Sequence, residues 1–308
     1  MIRLDAATVL LQWAVGGLLF LWVTTRSREV GLGYGWLLRG IYLLVAAGAA
    51  AVGLWVDPVP VREASAFGVA VAGGAALAVS VVRRRAGVQG EHQRRERRAE
   101  RVRAMTGTTG ADGDPEAIAG GGTDAETEPH ATLDTRRDEP RRGREFHPGL
   151  DLIAPLVGVP GLIAAGVAAG DPMVLSIARV LVGAAFLGAV SDAMLLGHWY
   201  LVQPGLTRRP LLELVRWTGW VWPAEVVVML WPIGMASVWS GSVDDGWGGM
   251  LGWFWVACAV TTIILVLVTR AALRERYYSA VMAATGLLYL AILTAFGTDL
   301  VARAVLAN

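Results

Sequence analysis

The sequence contains no lysine and a single cysteine, Cys258, and both scarcities narrow the chemistry open to it. One cysteine cannot form a disulfide within the chain or build a thiolate site for zinc or an iron–sulfur cluster. The absence of lysine excludes a lysine Schiff base and the lysine of a phosphate-binding loop. All 27 basic residues are therefore arginine. Because they flank apolar segments and form no stripe on a folded domain, we expect no nucleic-acid partner.

Charged residues are also scarce, at 17% of the 308 residues, against about 25% in ordinary soluble domains. They are unevenly distributed, since residues 84–148 hold 26 of the 53 charged side chains. The rest of the chain is an apolar scaffold, and hydrophobic residues make up 55% of the whole. This composition predicts an all-α, polytopic membrane protein whose first partner is the lipid bilayer.

Eight segments are long and apolar enough, or nearly so, to cross a hydrocarbon core of about 30 Å as helices of about 20 residues. They run approximately over 7–25, 36–56, 64–83, 149–169, 173–202, 211–240, 248–270 and 278–303. Membrane helices pack through small residues, and the pattern Gly183-x-x-x-x-Gly188 is typical of such an interface. The sequence therefore predicts a three-helix membrane segment (1–83), a charged, largely disordered linker (84–148) and a five-helix bundle (149–308).

The placement of arginine predicts how these helices are oriented. Connections after helices 1, 3, 5 and 7 carry arginines, whereas the alternate connections contain only Arg62. Because basic loops stay on the cytoplasmic side, we expect an even number of spans in a bacterial-type cytoplasmic membrane, with both termini outside. The linker is then cytoplasmic, and its arginine-rich part, Arg84–Arg103, is expected to bind anionic lipid.

Ionisable residues inside the predicted spans are the candidate functional residues, because a charge in hydrocarbon is costly. Asp192 in helix 5 and Glu225 in helix 6 lie 16 and 17 residues from the turn near Arg208, which places both near the bilayer middle. If both face the same seam, they would share a proton or bind a cation. Alternatively, each carboxyl group only hydrogen-bonds a backbone carbonyl. Pro223, two residues before Glu225, frees a backbone carbonyl there and favours a polar cavity.

His198 is the only histidine inside a predicted span. It follows Asp192 by six residues, so the two side chains point about 120° apart around the helix. His198 could ligate a haem iron or bind a quinone headgroup. It could equally be an interfacial histidine bonded to a carbonyl, Tyr200 or Glu213. No metal site is predicted, and no cofactor beyond these haem and quinone alternatives.

Two further residues suggest a structural contact between helices. Arg179 of helix 5 and Asp299 of helix 8 have similar predicted depths, near the ends of their helices that lie away from the basic loops. An ion pair between them would lock the two helices together.

Three functions are compatible with these residues. The favoured one is an accessory or assembly subunit of a membrane complex, whose helices offer packing surface to other membrane subunits. The second is a proton- or ion-coupled carrier with Asp192 and Glu225 as the protonated pair. The third is an electron-transfer subunit that binds haem or quinone at His198. A soluble catalytic domain is not expected, and neither a Walker motif nor HExxH or GxSxG occurs, so an enzyme is the less favoured class.

Overall fold

The computed structural model describes residues 5–86, 146–203, 206–232, 234–275 and 277–307. Within these ranges the chain is helical and contains no strand. The long helices are α1 (Ala6–Thr25), α2 (Leu32–Val56), α3 (Pro60–Val82), α4 (Ile153–Ala168), α5 (Met173–Val202), α6 (Arg209–Leu230), α7 (Met250–Ala272) and α8 (Tyr278–Leu306). Two 3₁₀ segments, Arg83–Ala86 and Pro148–Leu152, and a single helical turn, Ala236–Trp239, lie between them.

Seven of these helices are long and apolar enough to cross a membrane, counting α4 together with the 3₁₀ segment before it. This confirms the all-α fold class and agrees with a membrane protein. The other helix, α6, is 22 residues long but carries four charged residues and is less apolar than its neighbours. The eighth crossing, and the side of the membrane on which each end lies, stay predictions.

Local chemistry explains where several helices begin and end. The Asp5 side chain caps α1 by accepting a hydrogen bond from the Ala7 backbone nitrogen at 3.0 Å. Pro60 begins α3, where its fixed φ suits the first turn. Helix α6 ends at Leu230 although its apolar pattern continues to 240. The helix stops there because Pro232 has no N–H to donate the next backbone hydrogen bond of the helix.

The most buried of the candidate spans is α1, which packs against α2, α4 and α5. Its backbone meets that of α5 where Gly16 faces Gly188, and a Cβ on either glycine would overlap the other helix. Glycine permits this close approach, which apolar lipid tails do not otherwise drive. The predicted pattern Gly183-x-x-x-x-Gly188 therefore corresponds to the contact between α5 and α1, since Gly183 also faces α1 at Gln12.

Connections that carry arginine meet at one end of the bundle, which we call the basic end. Arg26, after α1, forms an ion pair with Glu213 of α6. Arg208, before α6, donates to the carbonyls of Leu273 at 3.3 Å and Tyr277 at 2.9 Å, both between α7 and α8. The opposite end, where α1 begins, includes residues 57–59, 169–172, 231–232 and 234–249. This clustering is compatible with the orientation predicted from arginine placement.

The predicted linker separates the helices in sequence but not in space. Helix α3 packs against α4 across it, and α1 packs against α5. Most of the predicted disordered linker, and most of the lipid-binding segment Arg84–Arg103, lie outside the described residues. The division of the chain into three parts is therefore a prediction from sequence alone.

Candidate functional site

Several charged side chains lie buried between the helices, where a charge is stable only with partners. They form four groups with the polar residues around them: the Glu225 cluster (Gln12, Arg179, Glu225, Asp299 and Arg303), the Asp192 cluster (Tyr34, Tyr42 and Asp192), the Arg39 pair (Arg39 and Asp151) and the Arg62 group (Asp5, Arg62 and Glu63). Each group is a candidate for function, and the four differ in how fully their polar atoms are paired.

The Glu225 cluster lies between α1, α5, α6 and α8 and holds the least satisfied carboxyl group. Glu225 is fully buried, and Arg179, Asp299 and Arg303 are close enough to act on it electrostatically. Neither of its carboxylate oxygens has a hydrogen-bond partner among the described residues, and the same is true of Asp299 Oδ1 and Gln12 Oε1. Buried polar atoms seldom lack partners. The cluster therefore offers four acceptor oxygens that a proton or a water molecule could satisfy.

Gly183 allows the cluster to approach α5. A Cβ at this position would lie 2.7 Å from Gln12 Nε2, 3.0 Å from Asp299 Oδ1 and 3.5 Å from Arg303 Nη2. Gln12 also donates to the carbonyl of Val180 on α5 at 2.7 Å. Gln12 is not evident as a site residue from sequence, because one uncharged polar residue in an apolar helix gives no signal about the neighbour that it faces.

The ion pair predicted between Arg179 and Asp299 stays a prediction, and each residue has a described contact with another group. Asp299 Oδ2 pairs with Arg303 Nε at 2.7 Å, one turn further along α8. Arg179 Nε donates to the carbonyl of Val228 on α6 at 2.8 Å. That carbonyl has no helical donor, since the residue four positions later is Pro232. Arg179 and Asp299 nevertheless lie in the same cluster, at the contact of the helices they were expected to join.

Asp192 faces α2, not α6. Its Oδ1 accepts a hydrogen bond from the Tyr42 hydroxyl, and the Tyr34 hydroxyl donates to its backbone carbonyl at 3.4 Å. The Tyr42 ring lies against α1 at Gly17, where a Cβ would overlap the ring. Asp192 Oδ2 has no hydrogen-bond partner in the described part of the chain. Asp192 is therefore a second buried carboxyl group, held by one phenol.

The described contacts do not bring Asp192 and Glu225 together as the shared-proton pair that the sequence suggested if both faced one seam. Gly183 of α5 faces the Glu225 cluster, whereas Asp192 lies nine residues further along the same helix, about 13 Å along its axis. No hydrogen bond between described residues joins the two carboxyl groups. Counting residues from a turn gave approximate depths, but it could not show that Asp192 is rotated towards α2.

His198 is exposed on α5 and contacts Tyr289 of α8. Its Nδ1 lies 3.0 Å from the Tyr289 hydroxyl, so its partner is neither Tyr200 nor Glu213. The two rings meet edge to face, with centroids 6.2 Å apart. In the described ranges, no group of three or more His, Cys, Asp and Glu residues could hold a metal ion. A haem or quinone at His198 stays a prediction.

Arg39 has a structural role that is not evident from the sequence. In the structure it lies within α2, and its side chain is 2% exposed. Its Nε and Nη2 donate to the two carboxylate oxygens of Asp151 at 2.7 and 2.8 Å. The Phe146 ring centroid lies 4.4 Å from the guanidinium carbon. This bidentate pair joins α2 to the 3₁₀ segment before α4 and leaves neither Asp151 oxygen without a donor.

No protein-family model matches the chain, and no curated protein or solved structure is significantly similar to it. The chemistry of the buried clusters is therefore the basis for assigning a function.

Proposed function

We propose that this protein is a proton-coupled membrane carrier that uses Glu225 as its protonation site. The observation that supports it is a fully buried carboxyl group, both oxygens of which lack a donor among the described residues, beside a buried ion pair. Ionisable residues inside a bilayer are rare and commonly mark proton or ion pathways. The second carboxyl group of the site is Asp299, in place of the Asp192 expected from sequence.

Proton exchange at Glu225 changes the charge of the cluster by one. When Glu225 is ionised, the carboxylates of Glu225 and Asp299 balance the guanidinium groups of Arg179 and Arg303. When Glu225 is protonated, it carries its own donor, and Asp299 Oδ1 is an acceptor without a partner in the same cluster. Both forms therefore have a means of stabilisation, as a group that takes up and releases protons requires.

A proton suits this site better than a metal cation does. Either species adds one positive charge to a cluster in which two arginines balance two carboxylates, but a metal cation also requires several oxygen ligands at once. A proton is taken up by the carboxylate itself and needs no shell of additional ligands. The coupled species is accordingly the proton, and the transported solute is not specified by the cluster.

Infrared pH-difference spectra of the reconstituted protein test this proposal. We expect a carbonyl-stretch band of a buried, protonated carboxylic acid that is lost in Glu225→Gln. Glu213→Gln is the matched control, because Glu213 lies on the same helix but pairs with Arg26 at the basic end, where its side chain is 27% exposed. A wild-type protein without such a band, or a band unchanged in Glu225→Gln, would overturn the proposal.

The accessory-subunit hypothesis is a second candidate, and the exposed side of α6 favours it. Arg216 is exposed there, and its guanidinium carbon lies 6.0 Å from the centroid of the Trp220 ring. Trp220 is itself 62% exposed, on the helix that is less apolar than the candidate spans. A partner helix would shield these groups better than lipid tails.

A photo-crosslinking residue at position 220 tests this second candidate in the native membrane. We expect one discrete protein adduct from position 220 and only lipid adducts from position 293, since Leu293 is an apolar residue, 70% exposed on α8. The same adducts from both positions would remove the accessory role.

A further inference from the structure

A cleft opens at the end of the bundle where α1 begins and leads to the Glu225 cluster. Its lining includes Asp5 and Thr8 near the start of α1, Arg62 of α3, Ala165 of α4, Val180 of α5 and Arg303 of α8. The cleft has room for about one water molecule. Arg303 belongs to the Glu225 cluster, so the cleft reaches one side of the cluster that holds the proposed protonation site.

Charged groups surround the mouth of this cleft. Arg62 is 2% exposed and forms ion pairs with Asp5 and Glu63. It also donates to the carbonyl of Asp57 at 2.6 Å and to the Thr8 hydroxyl at 3.1 Å. Asp5 in turn caps α1, so the mouth is fixed to the first turn of that helix. The side chain that closes the mouth, Arg62, is therefore polar and not apolar.

Polar groups continue from the mouth to the floor of the cleft. Arg303, at the floor, is paired with Asp299. Val180 also lines the cleft, and its carbonyl accepts a hydrogen bond from Gln12, whose own Oε1 lacks a partner among the described residues. A water molecule in the cleft therefore has polar neighbours at both ends, which an ordered buried water requires.

We infer that this cleft is the aqueous entrance through which protons reach Glu225 from the end of the bundle where α1 begins, with Arg62 closing its mouth. The inference rests on the proposed function, since it gives the route to the same carboxyl group. One water molecule and a row of hydrogen-bonding groups suffice to pass a proton, whereas a hydrated ion needs a wider passage. By the orientation predicted from arginine placement, this entrance faces outside.

Silver-ion reactivity of single cysteines tests the entrance, because a silver ion is small enough for a narrow, hydrated cleft. The native thiol is removed first by Cys258→Ala. Ala165→Cys then places a thiol in the lining at a residue that is 5% exposed. Ala184→Cys is the matched control, since Ala184 is 3% exposed but lies at the contact between α5 and Gly16, outside the lining.

We expect silver ions to react with the thiol of Ala165→Cys at least tenfold faster than with the thiol of Ala184→Cys. The fast reaction should occur only when silver is added on the side of the membrane where α1 begins. Adding Arg62→Gln to Ala165→Cys should increase the rate further, because the mouth loses its closing ion pairs. Thr8→Cys, at a second lining residue, gives the same comparison if Ala165→Cys fails to fold. Equal rates for lining and control thiols, or no effect of Arg62→Gln, would overturn the entrance.

The silver-labelling experiment tests the entrance, whereas the infrared experiment tests the protonation site, so a negative result in one does not imply a negative result in the other. If the infrared band depends on Glu225 but the thiols in the cleft lining do not react with silver, the protonation site is supported and only the proposed entrance is wrong. If the wild-type protein shows no such band, both the proposed function and the proton route are wrong, whatever the rates of labelling.

Discussion

Asp299 and Arg303 lie one turn apart on α8, joined by an ion pair of 2.7 Å in which the two side chains are 0% and 1% exposed. Burying such a pair removes both charges from water, so the pair contributes little net stability. Its main consequence is positional, since it fixes one negative and one positive group beside Glu225. The pair also makes the fold sensitive to the loss of either partner.

Removal of Arg303 alone should strongly destabilise the fold. In Arg303→Leu, Asp299 loses its partner inside the bundle, and we expect the free energy of unfolding in detergent to fall by about 3–5 kcal/mol. Arg209→Leu is the control, because Arg209 is 83% exposed and lies 3.8 Å from Glu29. That loss should stay below about 1 kcal/mol.

The double variant Asp299→Leu with Arg303→Leu distinguishes an unpaired charge from lost packing. Because it buries no unpaired charge from this ion pair, it should recover much of the stability that Arg303→Leu loses. Denaturant unfolding of all three variants measures this. If the double variant is the least stable, the effect comes from packing, and the interpretation of the ion pair is wrong.

Close contact between α1 and α5 gives a second prediction. A Cβ at Gly188 would overlap the backbone at Gly16, whereas a Cβ at Gly286 of α8 would meet no atom within 4 Å. Gly188→Ala should therefore lower the free energy of unfolding by about 1–3 kcal/mol, because the two helices must move apart. Gly286→Ala should leave it unchanged or raise it slightly. Thermal unfolding in one detergent compares the two, and equal effects would contradict the packing described.

The sequence was sufficient to predict the helices but not how they are rotated. Apolar runs located eight helices close to their observed positions, and Pro232 explains why α6 stops early. A helix that is apolar on all sides has no periodic pattern to show which residue faces which neighbour. For this reason the sequence identified Asp192 and Glu225 as candidates but left open whether they face each other, and it gave no sign that Gln12 lies in the same cluster as Glu225.

The hydroxyl group of Tyr42 provides a third prediction. Tyr42→Phe removes the donor to Asp192 Oδ1, and Asp192 Oδ2 already lacks a partner among the described residues. A buried acceptor left unsatisfied should lower the free energy of unfolding by about 1–3 kcal/mol. Tyr289→Phe removes the same group at an exposed contact with His198 and should have a smaller effect. Similar losses in both variants would show that Tyr42 does not stabilise Asp192.

The fourth prediction is that the stability of the connection before α7 depends on pH through Asp245. Its carboxylate accepts hydrogen bonds from the backbone nitrogens of Gly249 at 2.8 Å, Trp247 at 2.9 Å and Leu251 at 2.9 Å. These bonds, chiefly that of Gly249, lower the pKa of Asp245 below its ordinary value. The ionised carboxylate therefore stabilises the loop above about pH 4. That stability is lost as the pH falls through the lowered pKa.

Hydrogen exchange measures this effect at the amides of residues 247–251. Protection corrected for intrinsic exchange should fall in acid, and Asp245→Asn should show the reduced protection already at neutral pH. Asp244→Asn is the control, since Asp244 accepts a single described bond from the Gly246 nitrogen, at 2.9 Å. Protection that is independent of pH would contradict the role given to the carboxylate.

The final prediction concerns proton flux and follows from the different surroundings of Asp192 and Glu225. Proteoliposomes loaded with a pH-sensitive dye report the uncoupled proton entry that a membrane potential drives through the carrier when no solute is present. Glu225→Gln should slow that entry by at least about tenfold, because an amide cannot exchange a proton at the proposed protonation site. Asp192→Asn should change it less than about twofold, since the new amide keeps an oxygen for the Tyr42 hydroxyl and no described bond links this position to Glu225. Equal losses in both variants would mean that protons pass Asp192 as well, and that the two clusters act in series along α5.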